Sequence, residues 1–359
     1  MKIAMLSVVR SKSGSGSGIT EYTYQLITHI KPLLSKSDSI EEIYAIDESK
    51  YNNLSGLIYT NTIFKKKLAL AAKKNFDIIH ITDHEIGFAA KIIKRSNKNA
   101  KIITTVHDLL RFEKKLHEGI AQKAYNRFVR NNVKEAIRYS DVILCNSNQT
   151  YETILNRFPQ TKNVKLVPHG IDDSFFKTRK LSKLNSKRKF IVGYLGSFAY
   201  HKNVIFLLKT ANLLKNNPNI EFQIYGTGSE LSNLTKFKNQ HQLDNVKFMG
   251  VALQESKARI FDSFDIFIFP SLYEGLGYPI LEAQARGSVV IITKKSHISP
   301  EVRKHCLEVG GASECARLLI KYETNKIGKS QSKKIMMYAK TFTWQKCARR
   351  TLNLYRSLI

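Results

Sequence analysis

Two glutamates eight positions apart, Glu274 and Glu282, bracket the stretch of this chain richest in chemistry, Pro270-Ser271-Leu272-Tyr273-Glu274-Gly275-Leu276-Gly277-Tyr278-Pro279-Ile280-Leu281-Glu282-Ala283. An ionised carboxylate only accepts hydrogen bonds, so each suits a pair of hydroxyls on a polyhydroxylated ligand. Gly275 and Gly277 permit close approach to the backbone. Pro279 marks a helix start whose free N–H groups attract an anion. Hydroxyls at the carboxylates and phosphate at the glycine turn together describe a nucleotide sugar. Strand–glycine turn–helix units recur in many open α/β sheets, so this segment alone leaves both readings open.

Three other segments carry candidate chemistry. In Gly193-Tyr194-Leu195-Gly196-Ser197-Phe198-Ala199-Tyr200-His201-Lys202-Asn203 a strand ends at Gly196, and Lys202 stands just before the apolar helix Val204–Leu214. A lysine there opposes the positive end of the helix dipole. That cost makes sense if Lys202 and the helix start hold one anion; an exposed lysine of a basic surface is the other reading. His107 and Asp108 follow the apolar run Ile102–Val106, where ligands of parallel sheets bind, or else His107 caps a turn. Gly16-Ser17-Gly18 follows the first strand and opens a helix, either as a loop closing over phosphates or as a simple turn.

The elements that must position these residues read as two βα series. Lys2–Val9, Phe76–Thr82, Ala100–Val106, Asp141–Cys145 and Lys165–Pro168 are strands, with helical stretches between them and one from Ile19 to about Leu34. After the polar Lys177–Lys189 segment, Phe190–Leu195, Ile220–Tyr225, Asn245–Phe248, Asp265–Phe269 and Val289–Thr293 form the second set. Helical patterns near Ser313–Tyr322 and over Phe342–Leu358 complete the chain. Alternation of this kind implies parallel sheets covered by helices.

The chain has 359 residues, enough for two domains, and its 43% hydrophobic content is that of a globular protein. No apolar run reaches a membrane span, and the short Ile3–Val9 run reads as a strand, not a leader peptide. Cys145, Cys306, Cys315 and Cys347 lack metal-ligand spacing and read as reduced thiols of a cytoplasmic protein. The net charge of +29 is spread over both halves, +13 in residues 1–180 and +16 beyond. It attracts anions: nucleotide sugars, anionic lipids or nucleic acid. A lysine-rich composition without functional meaning reads the same. Asn61–Phe76, where Lys65, Lys66, Lys67, Lys73 and Lys74 alternate with Ile63, Phe64, Leu68, Ala72 and Phe76, reads as a membrane-surface helix or a packed helix with a solvated face.

In order along the chain, these motifs resemble the family 4 (group 1) glycosyltransferases: Gly16–Gly18, Val106-His107-Asp108, Cys145-Asn146-Ser147, Val167-Pro168-His169-Gly170-Ile171-Asp172, Gly196-Ser197 with Lys202-Asn203, the Glu274–Glu282 segment, Ala285-Arg286-Gly287-Ser288-Val289-Val290, Ser299-Pro300-Glu301, and Phe342-Thr343-Trp344 with Thr351, Leu352 and Tyr355. The resemblance implies a GT-B fold, two Rossmann-like doubly wound α/β domains with an interdomain cleft. They would comprise residues 1–178 and 190–341, joined by a linker at 179–189, with helix 342–359 packing back on the first. It implies a retaining hexosyl transfer from a nucleoside-diphosphate sugar to a glycan, a lipid-linked or another hydroxyl acceptor, with no cofactor and no bound metal. A nucleotide-sugar epimerase or phosphorylase is the alternative on this fold, and a nucleic-acid-binding protein the alternative outside it.

By the same resemblance Lys202 neutralises the diphosphate, Glu282 holds the ribose, and Glu274 with the backbone of Gly275, Leu276 and Gly277 holds the donor sugar. Gly196 and Ser197 line the donor site, His107 contacts the sugar, and Gly16–Gly18 close over phosphate. The site catalytic residues are then His107, Lys202 and Glu274, with Asp108 a further carboxylate near the chemistry. Such an enzyme works in the cytoplasm or peripherally at the inner face of a membrane. Ser197 and His201 depart from the arginine that family members often carry near these positions, which places more of the phosphate charge on Lys202.

Overall fold

The computed structural model describes residues 1–10, 18–46, 63–112, 120–177, 188–325 and 328–359. Gly16, Ser17 and most of the expected linker lie outside the described residues. The chain forms two compact units, Met1–Gly170 with Thr343–Ile359, and Ile171–Phe342.

In the first unit the order is β1 (Lys2–Val9), α1 (Gly18–Ile30), β2 (Ser39–Ile46), α2 (Ile63–Ala72), β3 (Ile78–Ile81), α3 (Phe88–Ser96), β4 (Lys101–Val106), α4 (Ile120–Tyr139), β5 (Val142–Cys145), α5 (Asn148–Arg157) and β6 (Val164–Leu166). The six strands pair in the order β2-β1-β3-β4-β5-β6, and every pairing is parallel. β1, β3, β4 and β5 are apolar almost throughout because helices cover both faces of a parallel sheet. β2 is half-exposed, as an edge strand can be.

The second unit runs β7 (Phe190–Leu195), α6 (Ile205–Leu213), β8 (Ile220–Tyr225), α7 (Leu231–Gln240), β9 (Val246–Gly250), α8 (Lys257–Ser263), β10 (Ile266–Ile268), α9 (Tyr278–Ala285), β11 (Val289–Thr293), α10 (Pro300–Arg303), β12 (Cys306–Val309), α11 (Ala312–Thr324) and α12 (Lys329–Ala339). Its six parallel strands lie in the order β12-β11-β10-β7-β8-β9. From β7 the chain winds outward through β8 and β9, then returns to add β10 on the other side. Between β7 and β10, therefore, the loops at the strand ends diverge, and ligands of such sheets bind at that divergence. In the first sheet the corresponding place is between β1 and β3.

Residues 171–177, read from sequence as part of the first domain, lie in the second unit. Ile171 and Phe175 are buried in its core, and the buried Arg286 guanidinium donates to the carbonyls of Phe175 (3.0 Å) and Lys177 (2.6 Å) while gripping Asp262 through two nitrogens at 2.8 and 2.6 Å. The last helix, α13 (Trp344–Leu358), belongs to the first unit. Its Tyr355 hydroxyl meets Nδ1 of His80 in the middle of β3, and Nε2 of that ring lies 2.7 Å from the Thr105 hydroxyl.

Helix α2 is a packed helix. Phe64 and Leu68 are fully buried, Lys67 donates to the Tyr44 carbonyl at 2.9 Å, and Lys74, just past the helix, pairs with Glu41 at 2.6 Å.

Candidate functional site

In the second unit the loops after β7 and β10, the two strands flanking the divergence, carry the expected residues. Tyr200–Lys202 make one tight turn, and Asn203 (φ 52°) takes the left-handed conformation open to asparagine. The Asn203 amide donates to the Pro270 carbonyl at 3.2 Å, and Leu272 N–H donates to the His201 carbonyl at 2.7 Å. The two loops are thus tied together, and the result is direct contact between their charges. Lys202 Nζ lies 2.6 Å from Glu274 Oε1, with the side chains only 18% and 11% exposed. The lysine also stands 5.6 Å over the Phe269 ring.

Glu274 is held from behind by a third loop. Its N–H donates to the His297 carbonyl at 3.0 Å, and His297 N–H donates to the Leu272 carbonyl at 2.8 Å. Gly277 has φ 94°, a conformation that side chains disfavour, and it turns the chain into α9 with Pro279 in the first turn. Leu276 is buried beneath this turn, Gly275 is half-buried, and Glu282 lies further along α9 at 8% exposure.

Behind Lys202, Gly196 and Gly226 meet closely. A Cβ on Gly226 (φ 143°) would fall 1.8 Å from the Gly196 carbonyl oxygen, so the loops after β7 and β8 can touch only through bare backbone. The buried Tyr194 hydroxyl donates to the Ser197 carbonyl at 2.9 Å, and burial together with the charge of Glu274 raises its pKa well above the usual phenol range. The structure thus brings together Gly196, Ser197, Lys202 and the Glu274 turn. It places Glu282 on the helix that this turn opens.

In the first unit, β4 delivers His107 as expected. Its Nε2 lies 2.8 Å from the Thr82 carbonyl, so that nitrogen carries the proton and Nδ1 remains an acceptor. Burial, then the neighbouring His84, lowers its pKa to about 4. The ring is accordingly neutral and acts as a hydrogen-bonding group, not a cation. Tyr22 from α1 stacks on His169 (4.1 Å between ring centroids) and meets His107 edge-on at 5.0 Å, with its hydroxyl 3.0 Å from that of Thr105. His80 and His169 are also pushed down by burial, His80 to about 3. Asp108 is occupied locally, its carboxylate accepting from Leu110 N–H at 2.9 Å. Gly18 is exposed at the first position of α1, and Gly16 lies outside the described residues.

Sequence reading passed over Asp83, His84 and Tyr22, and named His169 only as part of a motif, without a role. Asp83 follows β3, beside the divergence of the first sheet; its carboxylate accepts from Glu85 N–H at 2.8 Å, and burial, then the nearby Glu85 charge, raises its pKa to about 8. His84 Nδ1 accepts from His107 N–H at 3.4 Å. The signal was present, since Asp83-His84 follows an apolar strand just as His107-Asp108 does. Among the described residues no group of three or more His, Cys, Asp or Glu side chains is arranged to hold a metal ion.

Comparison with known proteins agrees with this architecture. Residues 32–175 match the family described as Glycosyltransferase Family 4, and residues 176–342 the family described as Glycosyl transferases group 1. The O-antigen biosynthesis glycosyltransferase WclY of Escherichia coli is 25% identical over 373 residues, covering 100% of this chain and 99% of its own. The Escherichia coli UDP-Gal:alpha-D-GlcNAc-diphosphoundecaprenol alpha-1,3-galactosyltransferase is 24% identical over 62% of this chain and 59% of its own length. The chain spans less than two thirds of the length of the first curated relatives it matches. Among solved structures, the sucrose-phosphate synthase of Thermosynechococcus elongatus superposes with a TM-score of 0.78 at 19% identity, covering 99% of this chain and 98% of its own. With both sheets and both family matches in agreement, the chain belongs to the family 4, group 1 glycosyltransferases and has their GT-B fold.

Proposed function

We propose that the protein transfers a hexose, with retention, from a nucleoside-diphosphate sugar to a hydroxyl of a glycan or lipid-linked acceptor. The observation that carries this reading is the Lys202–Glu274 pair at the divergence of the second sheet, beside the glycine turn that opens α9. The donor pyrophosphate takes Lys202 and the free N–H groups at the start of α9. Glu274 accepts sugar hydroxyls, and Glu282 accepts those of the ribose. A related galactosyltransferase uses UDP-Gal and a diphosphoundecaprenol-linked acceptor, which favours a uridine nucleotide and a lipid-linked acceptor here.

The difficult event is departure of the nucleoside diphosphate with its bonding electrons. Lys202 and the oriented backbone dipoles stabilise the charge that grows on the leaving oxygen, and they need little rearrangement to do so. The Nδ1 acceptor of His107 and the strand ends beside it suit a hydroxylated substrate. Asp108 is engaged in its own turn, so a same-face substitution, in which the departing phosphate takes the acceptor proton, fits better than a covalent carboxylate intermediate. No metal or cofactor is part of this reading. If the acceptor is lipid-linked, the enzyme works in the cytoplasm against the inner face of a membrane.

A thermal-shift panel of nucleotide sugars followed by turnover with the best binder tests the proposal, and proton NMR of the new anomeric centre tests retention. Stabilisation by no nucleotide sugar would remove it. Epimerised or phosphorolysed donor in the absence of an acceptor would replace it.

A further inference from the structure

Positive charge on α4 is arranged as a stripe. Lys123, Arg127, Arg130, Lys134 and Arg138 recur at intervals of four, three, four and four residues. At 3.6 residues per turn they fall within an arc of about 80° along about 22 Å of helix. Asn126, Val129, Val133 and Ala136 fill the buried face of the same helix. Arg130 is half-buried and donates to the Arg111 carbonyl at 3.3 Å, whereas the other four cations are exposed. Among the described residues these four have no carboxylate partner. The one acid of α4, Glu135, pairs with Lys91 at 3.2 Å, and Asp141 beyond its end is taken by Lys94 and by Ile102 N–H, both at 2.8 Å.

At the C-terminal end of the stripe a cavity of about 680 Å³ brings Lys134, Arg138 and Lys162 together with the apolar Ile137 and Phe158. Asp141 and Asn163, which also line it, immediately precede β5 and β6. In a parallel sheet all strands start at one end, so this cavity lies at the end of the first sheet opposite Thr82 and His107.

We propose that this face of the first unit docks on an anionic phospholipid surface, with the stripe against the headgroups and one lipid phosphate seated in the cavity above its apolar wall. A straight row of unpaired cations suits a plane of phosphates, and each adds about fivefold to affinity for such a surface. Single-stranded nucleic acid is bound by stacking on exposed aromatics, and the first unit exposes no large aromatic side chain among the described residues. Helix α2 is a poorer candidate, since Lys67 and the neighbouring Lys74 already have partners. The inference deepens the proposed function by naming the surface on which a lipid-linked acceptor would be met. Vesicle binding is measured without sugar transfer, so either reading can fail alone.

The test is co-sedimentation of the full chain with phosphatidylcholine vesicles, with and without about one-third phosphatidylglycerol, in low and high salt. Wild type should bind only the charged vesicles and leave them in salt. Combined Arg127→Glu, Lys134→Glu and Arg138→Glu should lower that binding at least about a hundredfold, and Lys162→Glu alone at least about fivefold. The milder Arg127→Gln, Lys134→Gln, Arg138→Gln variant should fall between, with an unchanged melting temperature. Glutamate at Lys65, Lys66 and Lys73 of α2 and its end should leave binding near wild type. Absence of binding to charged vesicles, or equal loss from the two helices, would overturn the proposal. So would vesicle binding that survives reversal while binding of a single-stranded RNA oligonucleotide is lost, which would give the face to nucleic acid.

Discussion

With Glu274 at 2.6 Å, the ammonium of Lys202 is already satisfied before any phosphate arrives. An incoming pyrophosphate must share or displace that carboxylate, so the two residues act as one unit. In the proposed role, Lys202→Ala removes a charge that stabilises the leaving group and leaves Glu274 unpaired beside it; kcat/KM should fall about 10²–10³-fold in steady-state assays. Adding Glu274→Gln should recover nucleotide binding by calorimetry without recovering turnover, which a purely additive pair would not do. With Glu282 on the ribose as proposed, Glu282→Ala should weaken UDP itself about tenfold, whatever sugar is attached. The histidines make a separate prediction. His80 and His107 have folded pKa values of about 3 and 4, and His169 is also depressed, all below the unfolded value of about 6.5. The unfolded chain therefore binds more protons below about pH 6.5, and stability from these groups is lost as pH falls toward 4. Asp83, raised to about 8, works in the opposite sense: the folded chain keeps its proton, and stability falls as pH rises from about 4 to 8. Melting temperature should decline on the acid side. Asp83→Asn should flatten the decline on the alkaline side, and an unchanged alkaline limb would mean that Asp83 is ionised in the folded protein.

Elements buried on both faces were legible in the sequence, because continuous apolar runs such as Ile102–Val106 and Val289–Thr293 admit few other readings. Both sheets nevertheless have one more strand than the sequence reading found. β2, Ser-Ile-Glu-Glu-Ile-Tyr-Ala-Ile, and β12, Cys-Leu-Glu-Val, are edge strands; Glu41 and Glu42 in the one and Glu308 in the other break the apolar run that marks an interior strand. The candidate site was legible where one strand end carries one conspicuous residue, as with His107, Lys202 and Glu274. Tyr22, and its pairing with His169, were not, since that pairing comes from stacking across 147 residues of sequence. Arg286 stood in the sequence only as one member of a family motif, and the structure shows it tying the entry segment of the second unit to Asp262. Lysine cannot reproduce that planar fork, so Arg286→Lys should cost about 2–4 kcal/mol in denaturant unfolding while leaving nucleotide affinity in the folded protein near wild type.

For the whole molecule, a formal charge of +29 means that like charges repel in every compact state. Monovalent salt screens this repulsion beyond about 8–10 Å at physiological strength, so the melting temperature should rise between low and moderate salt. A fall would show that ion pairs such as Lys202–Glu274 outweigh the repulsion. The helix that returns to the first unit has a different consequence, one of timing. Tyr355 supplies the hydroxyl that meets His80 inside a sheet begun by residue 2. Residues emerge from a ribosome in chain order, so residues 344–358 appear only after all of the second unit has been made. The lobe made first must therefore wait for them to close its interior, while the lobe made second need not. Removing residues 344–359 should then loosen the older lobe and spare the younger one.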